Sequence, residues 1–499
     1  MDLWQSIPFA CILLPLGSAA VTSVMKERTA KCWTMFVLCC TTALSAVFIF
    51  FMGRAGGSYP YMMGHFPAPW GNEIRAGMLE AVTALFFSLI MQLSLMGGMK
   101  KVEEHLLSDK QSLYYVMLLL LTAALMAQVY TNDLFTAYVF LEIMTLAAGS
   151  LISARNRGRT LVAATRYMVM NLLGSGMFLL GITLLYDLSG HLLMSNIRQA
   201  VAQLAATGQY RLPLTVVIAL MSIGLGIKSA LFPFHTWVPD AYGYSTPTSA
   251  AVLSSLVSKG YIFMLLKIFY RVIGLDVVQD AGILDVLFVF ALVGMVMGSV
   301  SAIRQNDIRR MIAFSSVAQI GYIFMGLGLG SSQGTVAAVF HIFAHAVSKA
   351  MLFLAAGGLA DASGNSKHFR DLRGAGFRSP IAGVAFTIGA LSMVGFPFLG
   401  GFTSKINFAL AAMNASSARM MLVLAVLAVS AMLNTVYFLK TVITLYRTPL
   451  PGARYSVEKG RRGFCFNAAL VLFSLANVFL GLFSQEILSA ITQGLKNFT

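Results

Sequence analysis

Charge is scarce in this chain: Asp, Glu, Lys and Arg make up 11% of its 499 residues, 58% are hydrophobic, and the mean hydropathy is +0.78. So little charge excludes an ordinary soluble domain, in which charged residues approach about one quarter. The composition is that of an integral membrane protein. Acids are scarcer still, 19 against 35 Lys and Arg, which gives a net charge of +16. A nucleic-acid-binding protein would show the same sign, but here the bases gather in short connectors between apolar runs, as membrane topology requires. No nucleic-acid partner is expected. Cysteines number only five, Cys11, Cys32, Cys39, Cys40 and Cys465, in or beside apolar stretches and without the paired spacing of a zinc or iron-sulfur site. Neither a metal nor any other cofactor is expected in this chain. No Gly/Ser linker or low-complexity tract interrupts it, so it has no room for a nucleotide-binding or redox module. If an exergonic reaction powers the protein, another subunit performs it. A basic leader is lacking too: Asp2 opens the chain and Lys26, Arg28 and Lys31 follow the first apolar run, the order of a retained span and not of a cleaved signal.

What the chain has is apolar runs. Segments of about 20 such residues cross the hydrocarbon of a bilayer, and fourteen are read: 5–24, 33–52, 76–97, 112–131, 134–153, 161–187, 212–235, 246–270, 280–303, 308–329, 332–360, 380–413, 420–444 and 464–490. The fold class is therefore an all-α polytopic membrane protein. Basic residues fall in alternate connectors, at Lys26 to Lys31, Lys100 to Lys110, Arg155 to Arg159, Arg304 to Arg310, Lys367 to Arg378 and Arg447 to Arg462. These six belong on the cytoplasmic side of the cell membrane, which leaves both termini external. The external connectors at 53–74 and 188–211 contain turn residues and few charges.

Proline is uncommon, thirteen in all, so the recurrence of one tripeptide stands out: Phe232-Pro233-Phe234 before His235, and Phe396-Pro397-Phe398 between Gly395 and Gly400-Gly401. Proline lacks an N–H and clashes with the preceding helical turn, so both spans are expected to break. Lys228 lies just before the first break and Lys405 just after the second. Irregular backbone at membrane depth is tolerated where protein or a water-filled cavity satisfies its polar groups. Two interrupted spans at matching places point to a duplicated transporter fold with one internal polar path. A proline kink with a snorkelling lysine is the alternative, and it would explain either segment alone more readily than the pair.

Ionisable side chains at mid-span cost about 2.5–3.5 kcal/mol on insertion scales, which makes them functional candidates. Glu142 lies in span five, Lys228 in span seven, Lys259 in span eight beside Ser254, Ser255 and Ser258, and Lys405 in span twelve. Span eleven carries His341, His345 and Lys349, an i, i+4, i+8 spacing that keeps them on one helix face. At an effective dielectric near 20, an ion pair at about 4 Å is worth roughly 4 kcal/mol. Moving Glu142 towards or away from Lys228 would then switch the lysine between holding and releasing a proton. His235, after the first break, either passes protons to the cytoplasmic side or caps loosened backbone. Lys267 and Lys440 approach span ends and are read as snorkelling, Arg166 as a topology anchor, and Glu80 as a subunit contact or a helix-helix hydrogen bond.

These residues carry a resemblance. Asn132-Asp133-Leu134-Phe135 leading to Leu141-Glu142-Ile143-Met144, Arg166-Tyr167 with Gly174-Ser175, Lys228 with the run from Phe232 to Ala241, and Ser258-Lys259 resemble the antiporter-like subunits of the complex I membrane arm. So do Asp307-Ile308-Arg309-Arg310 with Ala313-Phe314-Ser315-Ser316, His345-Ala346 with Lys349-Ala350, and Gly395-Phe396-Pro397 with Gly401-Phe402-Thr403-Ser404-Lys405. The match covers roughly residues 110 to 410, and within that superfamily the chain is most similar to the D-type subunit of Mrp sodium/proton antiporters and its counterpart in membrane-bound hydrogenases.

The resemblance implies two inverted five-helix repeats, spans four to eight (111–273) and nine to thirteen (280–446), each containing a broken helix. A three-helix region (1–110) precedes them, and a basic connector with the last helix (447–499) follows. It also implies a Glu142–Lys228 ion pair, a central Lys259 and a terminal Lys405, joined by hydrated side chains across the membrane plane. Gln319 stands where many relatives have histidine. The expected partners are other integral membrane subunits, protons, sodium as a candidate second ion, and the lipid bilayer. The expected function is that of a proton-translocating subunit of an Mrp-type sodium/proton antiporter. The alternatives are the pumping module of a redox-driven hydrogenase or NADH:quinone oxidoreductase, and a non-conducting scaffold.

Overall fold

The computed structural model describes residues 3–63, 66, 72–449 and 463–498. Most of the basic connector expected between Arg447 and Arg462 lies outside the described residues. Among the described residues thirteen helices are long and apolar enough to cross a membrane. The remaining expected span, 380–413, is built from two shorter helices, Pro380–Val394 and Gly400–Met413. The chain is a multi-pass membrane protein.

Several spans begin where a short polar side chain caps the first turn. Asp133 accepts from the Thr136 N–H at 2.6 Å at the start of Leu134–Ser153. Thr246 accepts from Ser249 at 3.0 Å ahead of Pro247, and Asp307 accepts from Arg309 and Arg310 at 2.8 and 3.2 Å ahead of Ile308–Gly328.

Burial sorts the spans into layers. The apolar stretches of Pro247–Ile273 and Ser332–Asp361 are wholly enclosed by protein and that of Ile308–Gly328 is 94% enclosed, against 28% for Phe464–Leu482 and 33% for Ser417–Leu445. Spans eight, ten and eleven are therefore the axis of the bundle, and they carry Lys259, Ser315, Ser316, His341, His345 and Lys349. Span eight is not uniformly α-helical: Leu253–Val257 and Ile268–Ile273 are π-helical, a local widening that recurs at functional sites.

Both expected breaks are present. Helix Arg211–Lys228 ends at the lysine, Leu231 N–H reaches back to the Gly226 carbonyl at 2.9 Å, and the chain resumes as Phe234–Trp237 and Val238–Tyr244. Arg309, almost fully buried, fixes this second half, its Nη2 donating to the carbonyls of Tyr242 (2.7 Å), Ser245 (2.8 Å) and Thr246 (3.3 Å). Asp240 adds ion pairs to Arg166 at 2.5 Å and Arg310 at 2.9 Å, so Arg166 pins the broken helix as well as standing at the basic face.

The break in span twelve depends on close packing at glycine. A Cβ on Gly401 would lie 1.8 Å from the Ser392 carbonyl oxygen, and one on Gly481 of the last span 2.1 Å from the Phe398 carbonyl oxygen. Backbone cannot yield cheaply, so Gly401→Ala is expected to destabilise the protein by about 1–3 kcal/mol, an overpacking cost. Gly176→Ala, at a position with nothing within 4 Å, serves as the neutral control. Thermal unfolding of the purified complex measures both; equal midpoints would refute the expectation.

Three features depart from the expectation. The connector after span two, read as turns, holds a small antiparallel hairpin, β1 (Tyr59–Met62) with β2 (Glu73–Ala76), in a chain that is otherwise helical. The 188–211 connector contains a helix, Met194–Thr207. Span fourteen stops at Leu482, and a separate amphipathic helix, Ser484–Lys496, packs against span three. Its buried Leu488, Ile491 and Leu495 are spaced for one face of a helix, which an apolar count reads as more span.

Candidate functional site

The expected site residues other than His235, with the polar side chains around them, gather into three groups. The first lies at the end of helix Arg211–Lys228. Lys228 is fully buried, and its Nζ lies 3.3 Å from Glu142 Oε1, 2.9 Å from Thr145 Oγ1 and 5.2 Å from the centre of the Tyr261 ring. Ser175 Oγ donates to the same carboxylate oxygen. Thr145 Oγ1 continues to Tyr261 OH at 2.9 Å, and that hydroxyl to Tyr167 OH at 3.4 Å. The expected ion pair is formed. Its carboxylate is the exposed member, with 27% of the Glu142 side chain accessible, on a span whose Phe135, Val139 and Leu146 also face outwards.

The second group is central. Lys259 Nζ donates to the Ser254 carbonyl at 2.5 Å and to Ser258 Oγ at 3.0 Å. The Ser254 carbonyl lies inside the first π-helical stretch, where widening frees it from the ordinary α ladder. Ser254 Oγ meets Ser316 Oγ of span ten at 3.0 Å. The neighbouring Ser315 accepts from Lys349 Nζ, which also reaches the Ile312 carbonyl at 3.1 Å and lies 5.7 Å from the Phe438 ring. Ser316 Oγ also donates to the Ile312 carbonyl at 3.1 Å, so the surroundings of Lys259 and Lys349 meet on span ten at one shared acceptor.

The third group surrounds the break in span twelve. Lys405 Nζ donates to the carbonyls of Met393 (2.8 Å) and Val394 (2.5 Å), capping the C-terminal end of the preceding half-helix where the backbone dipole is negative. It sits 5.6 Å from the Tyr322 ring, which stacks on His341 at 5.5 Å. His341 Nδ1 is 2.8 Å from Ser404 Oγ, and its ring stacks on His345 at 5.9 Å.

Buried polar atoms without a protein partner lie between the second and third groups: both ring nitrogens of His345, His341 Nε2, Tyr322 OH and both amide atoms of Gln319. Such groups are costly to bury dry and are ordinarily satisfied by enclosed water. A hydroxyl, imidazole and amide lining of this kind is what a hydrated proton route requires.

His341, His345 and Lys349 share one buried helix face, as their spacing predicts. His235 is not joined to the groups: half-buried, it stacks on Phe232 at 5.3 Å with Nδ1 unpartnered. One reading is corrected and one is narrowed. Lys267 does not snorkel; it is fully buried and its Nζ donates to the Thr131 carbonyl at 2.7 Å. Of the two alternatives read for Glu80 the helix-helix contact holds and the subunit contact falls, because Glu80 is almost completely buried in an ion pair with Arg271 of span eight. Lys440 is exposed, as a snorkelling residue would be. Thr145, Tyr261, Tyr322, Arg271 and the carbonyls of Met393 and Val394 that Lys405 caps went unread, whereas Tyr167, Ser175, Arg309, Ser315, Ser316 and Ser404 lay inside the motifs that carried the resemblance.

A bundle of this size, with two broken helices and a buried file of lysines, defines the class of antiporter-like membrane subunits. The chain belongs to the family described as NADH:quinone oxidoreductase/Mrp antiporter, TM, which matches residues 131–433. It is 33% identical over 510 residues to NADH-quinone oxidoreductase subunit N of Desulforudis audaxviator, covering 98% of both chains. It is 29% identical over 402 residues to a putative antiporter subunit mnhD2 of Staphylococcus aureus, covering 79% of this chain and 77% of that one. Among solved structures, a chain of the membrane-bound sulfane sulfur reductase, an archaeal respiratory membrane complex, superposes with a TM-score of 0.88 at 26% identity, covering 99% of this chain and 98% of that one.

Proposed function

We propose that this chain is the proton-translocating, antiporter-like subunit of a multisubunit membrane complex, working in sodium/proton exchange of the Mrp type. The observation that carries this reading is the file of buried ionisable groups at membrane depth, Glu142–Lys228, Lys259–Lys349, His345–His341 and Lys405, all but His345 held by hydroxyls or freed carbonyls. Protons pass along this file, with the Glu142–Lys228 pair setting whether Lys228 holds or releases its proton. His235 remains a candidate for exchange with the cytoplasmic side on position alone. The chain contributes no redox centre or cofactor. Its basic connectors face the cytoplasm at the cell membrane and its termini face outwards. The accessible part of Glu142, set among outward apolar side chains, is where another membrane subunit packs, because a carboxylate turned to lipid is costly.

A redox-driven pump is the second reading. It is favoured by the near full-length likeness to a subunit of NADH-quinone oxidoreductase and to a chain of a respiratory complex. Vesicles containing the intact complex distinguish the two. A sodium gradient alone is expected to drive proton movement in the opposite direction, measured with a pH-sensitive dye. Proton uptake that requires an electron donor and ignores sodium would replace the first reading with the second.

A further inference from the structure

Apart from the file of lysines, the basic face contains an open cavity of about 790 Å³ walled by the ends of several spans. Five cations line it: Arg155, Arg157, Arg159, Arg309 and Lys367. Its two acids are already taken. Lys101 pairs with both Glu104 and Asp361, the latter at 2.7 Å, and Lys100 adds a 3.9 Å contact to Glu104. Among the described residues none of the five cations forms an ion pair.

Topology alone accounts for exposed arginines at a cytoplasmic face, and Arg157 and Arg159 fit that account. It does not account for Arg309, which is almost fully buried, lines the cavity, and has no partner at Nε. Arg155 is similar: Nη1 reaches the Tyr244 carbonyl at 3.3 Å while Nε is unpartnered. Lys367 donates to the Gly243 carbonyl at 2.8 Å and has no counter-ion. Burial, then Arg309, pushes its ammonium down to about 7, with Arg155 and Arg157 adding to the effect and Asp307 opposing it. Positive charge has been concentrated here without compensation. Guanidinium forks match phosphate oxygens in pairs, and the cavity volume falls within the range of small-molecule sites, well above that needed for a halide.

We propose that this cavity binds a phosphate-type anion, supplied by a phospholipid headgroup or by a free phosphate compound. Its walls include Pro247 at the start of span eight and Gly357 near the end of span eleven, so an occupant would brace the two helices that carry Lys259 and the histidines. Binding itself does not depend on proton transport.

The test uses the intact, delipidated complex in detergent, titrated by calorimetry with dioctanoyl phosphatidylglycerol, with dioctanoyl phosphatidylcholine, and with inorganic pyrophosphate. Saturable binding of phosphatidylglycerol or pyrophosphate is expected, and it should weaken at least tenfold in Arg155→Gln/Arg157→Gln/Arg159→Gln. It should be unchanged in Arg304→Gln/Arg370→Gln, two bases outside the cavity. Phosphatidylglycerol alone would identify a headgroup, and effective competition by pyrophosphate a free anion. If the triple variant assembles poorly, Arg157→Glu and Arg159→Glu at exposed positions give the same readout. Absence of saturable binding, or equal affinity in parent and cavity variants, overturns the proposal.

Discussion

Proton flux through vesicles containing the complex is expected to fall about hundredfold when Lys228 is replaced by alanine, the low end of what a positioned proton-transfer group contributes. The geometry gives the reason. Lys228 Nζ is the titratable atom that touches both Glu142 Oε1, at the outer edge of the bundle, and Thr145 Oγ1, which leads inwards to Tyr261. Alanine removes the carrier and leaves a carboxylate facing a hydroxyl pair.

Lys228→Arg sharpens the test. Arginine preserves the charge and the pairing with Glu142, but in proteins it does not give up its proton. If Lys228 serves only to neutralise Glu142, the arginine variant conducts like the parent. If the lysine itself carries the proton, Lys228→Arg is as slow as Lys228→Ala. Glu142→Gln is expected to slow flux less than the alanine variant, because it abolishes the switch while leaving the carrier in place. Assembly is checked by subunit composition of the purified complex. An assembled Lys228→Ala complex that conducts at the parent rate would sink the proposed file and favour the scaffold reading.

How far the sequence foretold this depended on whether a feature was local. The broken helices were legible because Pro233 and Pro397 act on the turn that contains them, and the span-eleven face because His341, His345 and Lys349 lie on one helix. The Glu142–Lys228 pair joins spans five and seven, and no periodicity reveals it; the resemblance supplied it. Lys267 was misread because counting ended span eight at residue 270, close to a surface, whereas the helix runs on through a π-helical stretch to Ile273. That end is not a surface. Ile74 of the hairpin bridges to Thr131, whose carbonyl holds Lys267, and the Phe498 carbonyl accepts from Arg271 Nε at 2.7 Å. Hairpin and C-terminal segment, two of the three features that the apolar count missed, hold the charges it misplaced.

The same covered end supports the second large effect. Glu80 and Arg271 are each 1% exposed, with the Phe498 ring centre 4.2 Å from the guanidinium carbon. Truncating Glu80 to alanine leaves the guanidinium enclosed without its counter-ion, next to the ammonium of Lys267, and breaking one side of a buried pair costs about 3–5 kcal/mol. The thermal midpoint of the purified complex should fall well below that of Gly401→Ala. A buried pair is not itself strongly stabilising, because desolvation offsets much of the attraction. Glu80→Met/Arg271→Met should therefore recover most of the loss, giving a favourable coupling between the two sites. The Phe498 carbonyl, which loses its donor in the double variant, limits the recovery. If the double variant is as unstable as the sum of its singles, the pair is not an energetic unit; if Glu80→Ala alters subunit composition while leaving the midpoint of this chain's unfolding in place, Glu80 acts at a subunit boundary after all.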